Sequence, residues 1–111
     1  MSFIVQAEII NDVVDLLENE TNPVTFSCQA IGKPIPTINW YFNGIVINVL
    51  NISKYNKSNS SNGTVIMSLL TILNVQSSDV GTYTCHAENI VGIDESSGIL
   101  TVNSKLLCLK I

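Results

Sequence analysis

The chain has 111 residues and a net charge of −4, with five lysines and no arginine. That length carries one domain with no room for a second core. Lys33, Lys54, Lys57, Lys105 and Lys110 are scattered rather than striped, which argues against nucleic-acid binding and docking on anionic membranes.

Phe3 to Ile10 reads as a first strand. Asn11 to Glu20 is ambiguous, because Val13, Val14, Leu16 and Leu17 have helical spacing among acids. A short strand near Leu16 and Leu17 is expected only from the context that the rest of the chain supplies. Val24, Phe26, Cys28 and Ala30 alternate, as a half-buried strand does. Pro34 and Pro36 then punctuate a loop that no sheet interior would accept. Ile38, Trp40 and Phe42 alternate again over Thr37 to Phe42. Asn43-Gly44 is a two-residue hairpin signal, and Ile45 to Asn51 reads as a short apolar edge strand. Ser53 to Asn62, rich in Asn and Ser, is expected to be a loop, or a weak strand plus loop. Thr64 to Val75 reads as a long strand. A polar corner spans Gln76 to Gly81, and Gly81 to Glu88 follows with Tyr83, Cys85 and Ala87 on one face. Asn89 to Gly92 is a turn. Ile93 to Val102 is the last strand, with Leu100 and Val102 facing in. The expected domain is residues 1–103. Residues 104–111 read as a tail: a linker, expression-vector residues or an extra packed segment. Met1 to Gln6 lacks the features of a signal peptide, no run approaches a membrane span, and the chain reads as an excerpt of a longer protein.

A cysteine, a tryptophan twelve residues on, and a tyrosine two before a second cysteine make a Cys…Trp…Cys pattern. The block from Cys28 to Trp40, with Ala30, Gly32, Pro34 and Pro36, is similar to that of the I-set branch of the immunoglobulin superfamily. So is the run Asp79-Val80-Gly81-Thr82-Tyr83-Thr84-Cys85-His86-Ala87-Glu88-Asn89, followed by Gly92. Leu70, Ile72 and Val75 match the strand before the corner. The resemblance covers roughly Pro23 to Val102. It implies an all-β Greek-key sandwich of two antiparallel sheets, with Trp40 packed on a bridge and Tyr83 as the tyrosine corner. Asp79 opens the corner turn, and Gly81 is expected to take a backbone conformation closed to other residues. In many relatives that aspartate pairs with an arginine. This chain has none, so Asp79 is expected to bond local backbone N–H groups.

Cys28 and Cys85 sit mid-strand on core faces, which suits an inter-sheet disulfide and an oxidising compartment. The alternative is a buried reduced pair, as in cytosolic muscle immunoglobulin domains. Cys108 reads as a leftover thiol, with an intermolecular bridge as the alternative. Five Asn-x-Ser/Thr sequons occur, at Asn19, Asn51, Asn56, Asn59 and Asn62. Their density points to a secreted or cell-surface domain bearing N-linked glycans. His86 is expected as an exposed strand residue, with no serine or carboxylate placed beside it by a catalytic motif. Asp12, Asp15, Glu18 and Glu20 read as a solvated turn; the competing reading, calcium, has no recognisable ligand loop.

These readings converge on a non-catalytic protein-recognition module, without cofactor or metal, from the extracellular part of a cell adhesion molecule or receptor. The alternatives are a structural spacer in a multidomain array and an intracellular cytoskeletal module. Contact, with copies of itself or another protein, is expected through a sheet face centred on Tyr41, Ile47 and Val49. The ground is that Ile45 to Ile52 carries apolar residues on both parities, is uncharged and lacks proline.

Overall fold

The computed structural model describes residues 3–47 and 53–104. The strands are β1 (Val5–Asn11), β2 (Leu16–Asn19), β3 (Val24–Lys33), β4 (Thr37–Phe42), β5 (Ile45–Val46), β6 (Tyr55–Ser61), β7 (Val65–Ile72), β8 (Gly81–Asn89) and β9 (Gly92–Asn103). They form a four-stranded sheet ordered β1-β3-β7-β6 and a five-stranded sheet ordered β2-β9-β8-β4-β5. All pairs are antiparallel except β2 with β9. This is an immunoglobulin-like sandwich.

Period-two patterning builds the core. Phe26, Cys28 and Ala30 on β3, Leu70 and Ile72 on β7, Ile38 and Trp40 on β4, and Tyr83, Cys85 and Ala87 on β8 all point between the sheets and are buried. Phe26 stacks on Tyr83 at 4.8 Å between ring centroids, and Phe42 meets Tyr83 at the same distance. The hairpin turn has φ of 50° at Asn43 and 85° at Gly44, the positive values that a two-residue turn between twisted strands requires.

The chain leaves the four-stranded sheet after β1 and joins the five-stranded one at β2. Leu16 to Asn19 therefore forms a strand, because β9 offers Leu100 to Asn103 as a pairing edge; helical spacing loses to that ladder. The crossover lies tight on β9. A Cβ on Gly98 would come within 2.5 Å of the Val14 carbonyl oxygen. Side chains stitch the same seam: Asp94 Oδ2 accepts from Ile9 N–H at 2.8 Å, Ser96 Oγ from Val13 N–H at 3.0 Å, and Asp15 Oδ1 from Ile99 N–H at 2.8 Å.

Two expectations are sharpened. Of the two readings of Ser53 to Asn62, the strand holds and the loop does not: Tyr55 to Ser61 pairs with β7 in unbroken register, from Tyr55 opposite Ile72 to Ser61 opposite Ile66. A ladder is made by backbone groups, so an Asn- and Ser-rich stretch can extend it wherever a partner edge is open. The apolar edge strand expected over Ile45 to Asn51 falls partly outside the described residues. Among the described residues Ile45–Val46 is strand, and residues 48–52 lie outside that part.

Candidate recognition surface

Between the sheets, Cys28 and Cys85 are joined by a disulfide with Cα atoms 6.4 Å apart. Trp40 packs beside it, and its indole N–H donates to Ser68 Oγ at 2.9 Å. Ser68 is fully buried on β7, in the opposite sheet. At the corner, the Tyr83 hydroxyl donates to the Asp79 carbonyl at 2.8 Å. Burial, with the Asp79 carboxylate nearby, pushes the Tyr83 phenol well above its ordinary pKa, so it remains a donor. Asp79 Oδ2 accepts from Gln76 N–H at 2.8 Å and also from Lys54 Nζ at 2.6 Å. A lysine from the start of the β6 segment thus takes the place that an arginine would have held. Gly81 is needed for its conformation and for proximity. Its φ of 158° is one that L side chains rarely adopt, and a Cβ there would also sit 2.6 Å from Asn43 Oδ1 and 2.7 Å from Phe42 Cε1.

The outward face of the five-stranded sheet follows from the same alternation. Register aligns Asn39, His86 and Glu95 in one row and Tyr41, Thr84 and Ser97 in the next. His86 is not the open strand residue expected: its side chain is only 15% exposed. Its Nδ1 lies 2.7 Å from Glu95 Oε2 and its Nε2 lies 3.3 Å from Glu88 Oε1, with the Tyr41 ring at 5.6 Å. The Glu95 hydrogen bond, helped by Glu88, raises the imidazole pKa above its ordinary value. Both ring nitrogens are held by carboxylates, so the imidazole is tied down rather than offered to a substrate.

The apolar part of the predicted surface needs correction. Tyr41 stands half-buried on this face. Ile47 does not: it is only 9% exposed and belongs to the core. Pairing with β4 continues one bond past β5, from Ile47 N–H to the Trp40 carbonyl at 2.9 Å. That parity turns Ile47 inward beside Phe42 and Tyr55, along a shallow hollow that Ile45 and Val46 also line. Val46, opposite Tyr41 and 55% exposed, occupies the outward position instead. Val49 lies outside the described residues, as do Asn51 and Cys108.

The remaining sequon asparagines, Asn19, Asn56, Asn59 and Asn62, are all exposed. In the acidic turn, Glu18 Oε1 accepts from Asn19 N–H at 2.9 Å and Asn22 Nδ2 at 3.1 Å, and these bonds hold its pKa below the ordinary value. Among the described residues no group of three or more His, Cys, Asp or Glu side chains has the arrangement of a metal site.

Sequence reasoning missed three polar anchors. Ser68 had a signal, a lone hydroxyl on the inward parity of Ile66, Leu70 and Ile72. Lys54 and Asn89 had none without register. Asn89 is a hub: its Oδ1 accepts from Ala7, Val91 and Gly92 N–H at 3.3, 3.0 and 3.2 Å, and its Nδ2 donates to the Val5 and Pro34 carbonyls at 2.7 and 3.0 Å.

The immunoglobulin I-set domain model matches residues 7–102. The rat netrin receptor DCC is 35% identical over 102 residues, which cover 92% of this chain and 6% of that protein. The titin homolog of Caenorhabditis elegans is 34% identical over 91 residues, covering 81% of this chain and, to the nearest per cent, 0% of that protein. In fold, the chain is similar to titin domains Z1Z2 solved in complex with telethonin, with a TM-score of 0.83 at 24% identity, over 94% of this chain and 51% of that one. The chain spans only a small part of the length of these curated relatives.

Proposed function

The chain belongs to the immunoglobulin I-set family, and from that premise we propose that it is a non-catalytic protein-recognition module in the extracellular part of a cell adhesion molecule or receptor. The observation that carries the compartment is the exposure of Asn19, Asn56, Asn59 and Asn62, each in a sequon that an oligosaccharide can reach. The Cys28–Cys85 bridge supports the same compartment, since a disulfide persists where thiols are oxidised. The likeness to netrin receptor DCC is in keeping with it.

Contact runs through the outward face of the five-stranded sheet, where Tyr41 and Val46 supply apolar area beside the His86–Glu88–Glu95 cluster. A half-buried aromatic flanked by ordered polar groups suits an interface centre. A second copy of the chain or a different protein can be the partner. The unit is residues 1–103, with 104–111 as linker or tail.

The likeness to the titin homolog supports a second reading, an intracellular module or spacer in a long array. Intact mass after secretion from eukaryotic cells, with and without glycosidase and reductant, separates the two. The extracellular reading expects at least one sugar chain and two fewer hydrogens before reduction. A chain without sugar and with free thiols at Cys28 and Cys85 overturns it.

A further inference from the structure

Strand β6 is the outer edge of the four-stranded sheet. The bonds from Leu73 N–H to the Lys54 carbonyl, 3.0 Å, and from Asn62 N–H to the Val65 carbonyl, 3.1 Å, show that even-numbered residues turn their backbone groups toward β7. By alternation the N–H and C=O groups of Tyr55, Lys57, Asn59 and Ser61 face outward. Among the described residues no backbone group pairs with them. An open edge of this kind is a template for another chain, and natural sheets block it with charge, proline, a bulge or a cover. Here β6 has no proline, and its register with β7 is unbroken. Its one charge is spent elsewhere, because Lys57 Nζ reaches across the sandwich to the Ile38 carbonyl at 2.6 Å. From Ser58 to Ser61 the side chains are polar and exposed on both faces, which leaves register weakly specified and favours pairing with a second copy.

We propose that Asn56, Asn59 and Asn62 carry N-linked oligosaccharides that act as the missing edge block, keeping β6 from pairing with β6 of a second copy. Asn56 and Asn62 share one parity and Asn59 has the other, so sugars would stand on both faces of the strand. A neighbouring strand would lie only about 4.8 Å away, with its side chains directly against those sugars. At Asn62 the Oδ1 accepts from Thr64 N–H at 3.2 Å, Val65 N–H at 3.0 Å and the Thr64 hydroxyl at 3.4 Å, which leaves Nδ2 for the sugar. In the transfer, the side-chain nitrogen forms a bond to the anomeric carbon of a lipid-linked oligosaccharide diphosphate. The carbon–oxygen bond to the diphosphate breaks, the diphosphate lipid leaves, and the amide loses one proton.

This inference rests on the extracellular reading, and its test separates the two. The whole chain is secreted from eukaryotic cells as wild type and as the triple variant Ser58→Ala, Ser61→Ala, Thr64→Val, which removes the three sequons at exposed hydroxyls and keeps every asparagine. Intact mass locates the sugars, and sedimentation reads association. A parallel arm trims the folded wild-type glycoprotein to single sugars, so that misfolding of a variant cannot decide the result. The expected result is a glycoprotein without protection at the outward amides of β6, a shift to larger species for the triple variant, and new amide-exchange protection there at Tyr55, Lys57, Asn59 and Ser61. A triple variant without that shift, association without that protection, or sugar confined to Asn19 or Asn51 overturns the inference and leaves the extracellular reading standing. Wild type without any sugar overturns the inference, and free thiols at Cys28 and Cys85 besides overturn the extracellular reading as well.

Discussion

The indole N–H of Trp40 donates to Ser68 Oγ, 2.9 Å away in the facing sheet, and both residues are buried. A tryptophan fills space beside the Cys28–Cys85 bridge, but it brings a donor that water cannot reach. The hydroxyl on β7 satisfies it, and in doing so fixes the angle of the indole between the sheets. Ser68→Ala removes the acceptor and leaves the donor buried, so the expected loss is about 1–3 kcal/mol. Urea unfolding followed by tryptophan fluorescence measures it. A loss below about 0.5 kcal/mol, within the scatter of neutral substitutions, would mean that the indole finds another acceptor.

Lys54 and Asp79 tie the start of β6 to the corner before β8. The Asp79 side chain is 7% exposed and that of Lys54 27%, so the pair is only partly open to water. Lys54→Met keeps most of the stem and removes the cation, leaving Gln76 N–H to hold the carboxylate. A bond to a charged group contributes about 1.5–3 kcal/mol, and this is the expected loss. Lys54→Arg is expected to retain most of the stability. Equal unfolding midpoints for the methionine variant and wild type would remove the ammonium from any role at the corner.

The alternating strands were legible because burial on one face has a period of two, and Val24 to Ala30, Thr37 to Phe42 and Gly81 to Glu88 each declare it. Leu16 to Asn19 was legible only from the rest of the sandwich, since its own spacing is helical and the β9 edge decides. Tyr55 to Ser61 was legible only as one of two readings, loop or weak strand, because its polar side chains carry no periodic signal and its pairing with β7 is a backbone matter. The same limit hides the candidate surface. The parity of Ile47 depends on how far pairing continues past the Asn43-Gly44 turn, and no composition reveals that. Ties such as Lys54 to Asp79, or Asn89 to five backbone groups, join distant segments and need three-dimensional register.

His86 gives the outward face a dependence on pH. Its folded pKa is raised above 6.5, chiefly by the hydrogen bond to Glu95. The protonated imidazole is therefore favoured in the folded state. The stability it adds is fully present below about 6.5, and is lost as pH rises through the folded pKa. Glu95→Gln removes the main cause. The unfolding free energy of wild type should exceed that of this variant at acidic pH and converge on it at alkaline pH, and an NMR titration of His86 should shift downward in the variant. A difference that is constant across pH would sever the link between imidazole charge and fold.

The last prediction separates surface from core at two adjacent residues. Val46 is 55% exposed and stands opposite Tyr41, whereas Ile47 is 9% exposed and turned inward. Val46→Lys places a charge in water, so its stability should stay within about 0.5 kcal/mol of wild type. Ile47→Lys forces an ammonium toward the rings of Phe42 and Tyr55, or drives the segment off β4. Either route should destabilise strongly, because unpaired buried charge is costly. If the outward face is the contact surface, Val46→Lys and Tyr41→Ala should weaken association of the glycosylated domain, or cell adhesion by its parent protein, without altering the unfolding midpoint much. Binding loss in the Ile47 variant would say nothing about the surface, since the domain itself would be compromised. Unchanged association in both the Val46 and Tyr41 variants would remove this face from the interface. A stable Ile47→Lys domain would show that the hollow beside Phe42 is open enough to let the lysine reach water.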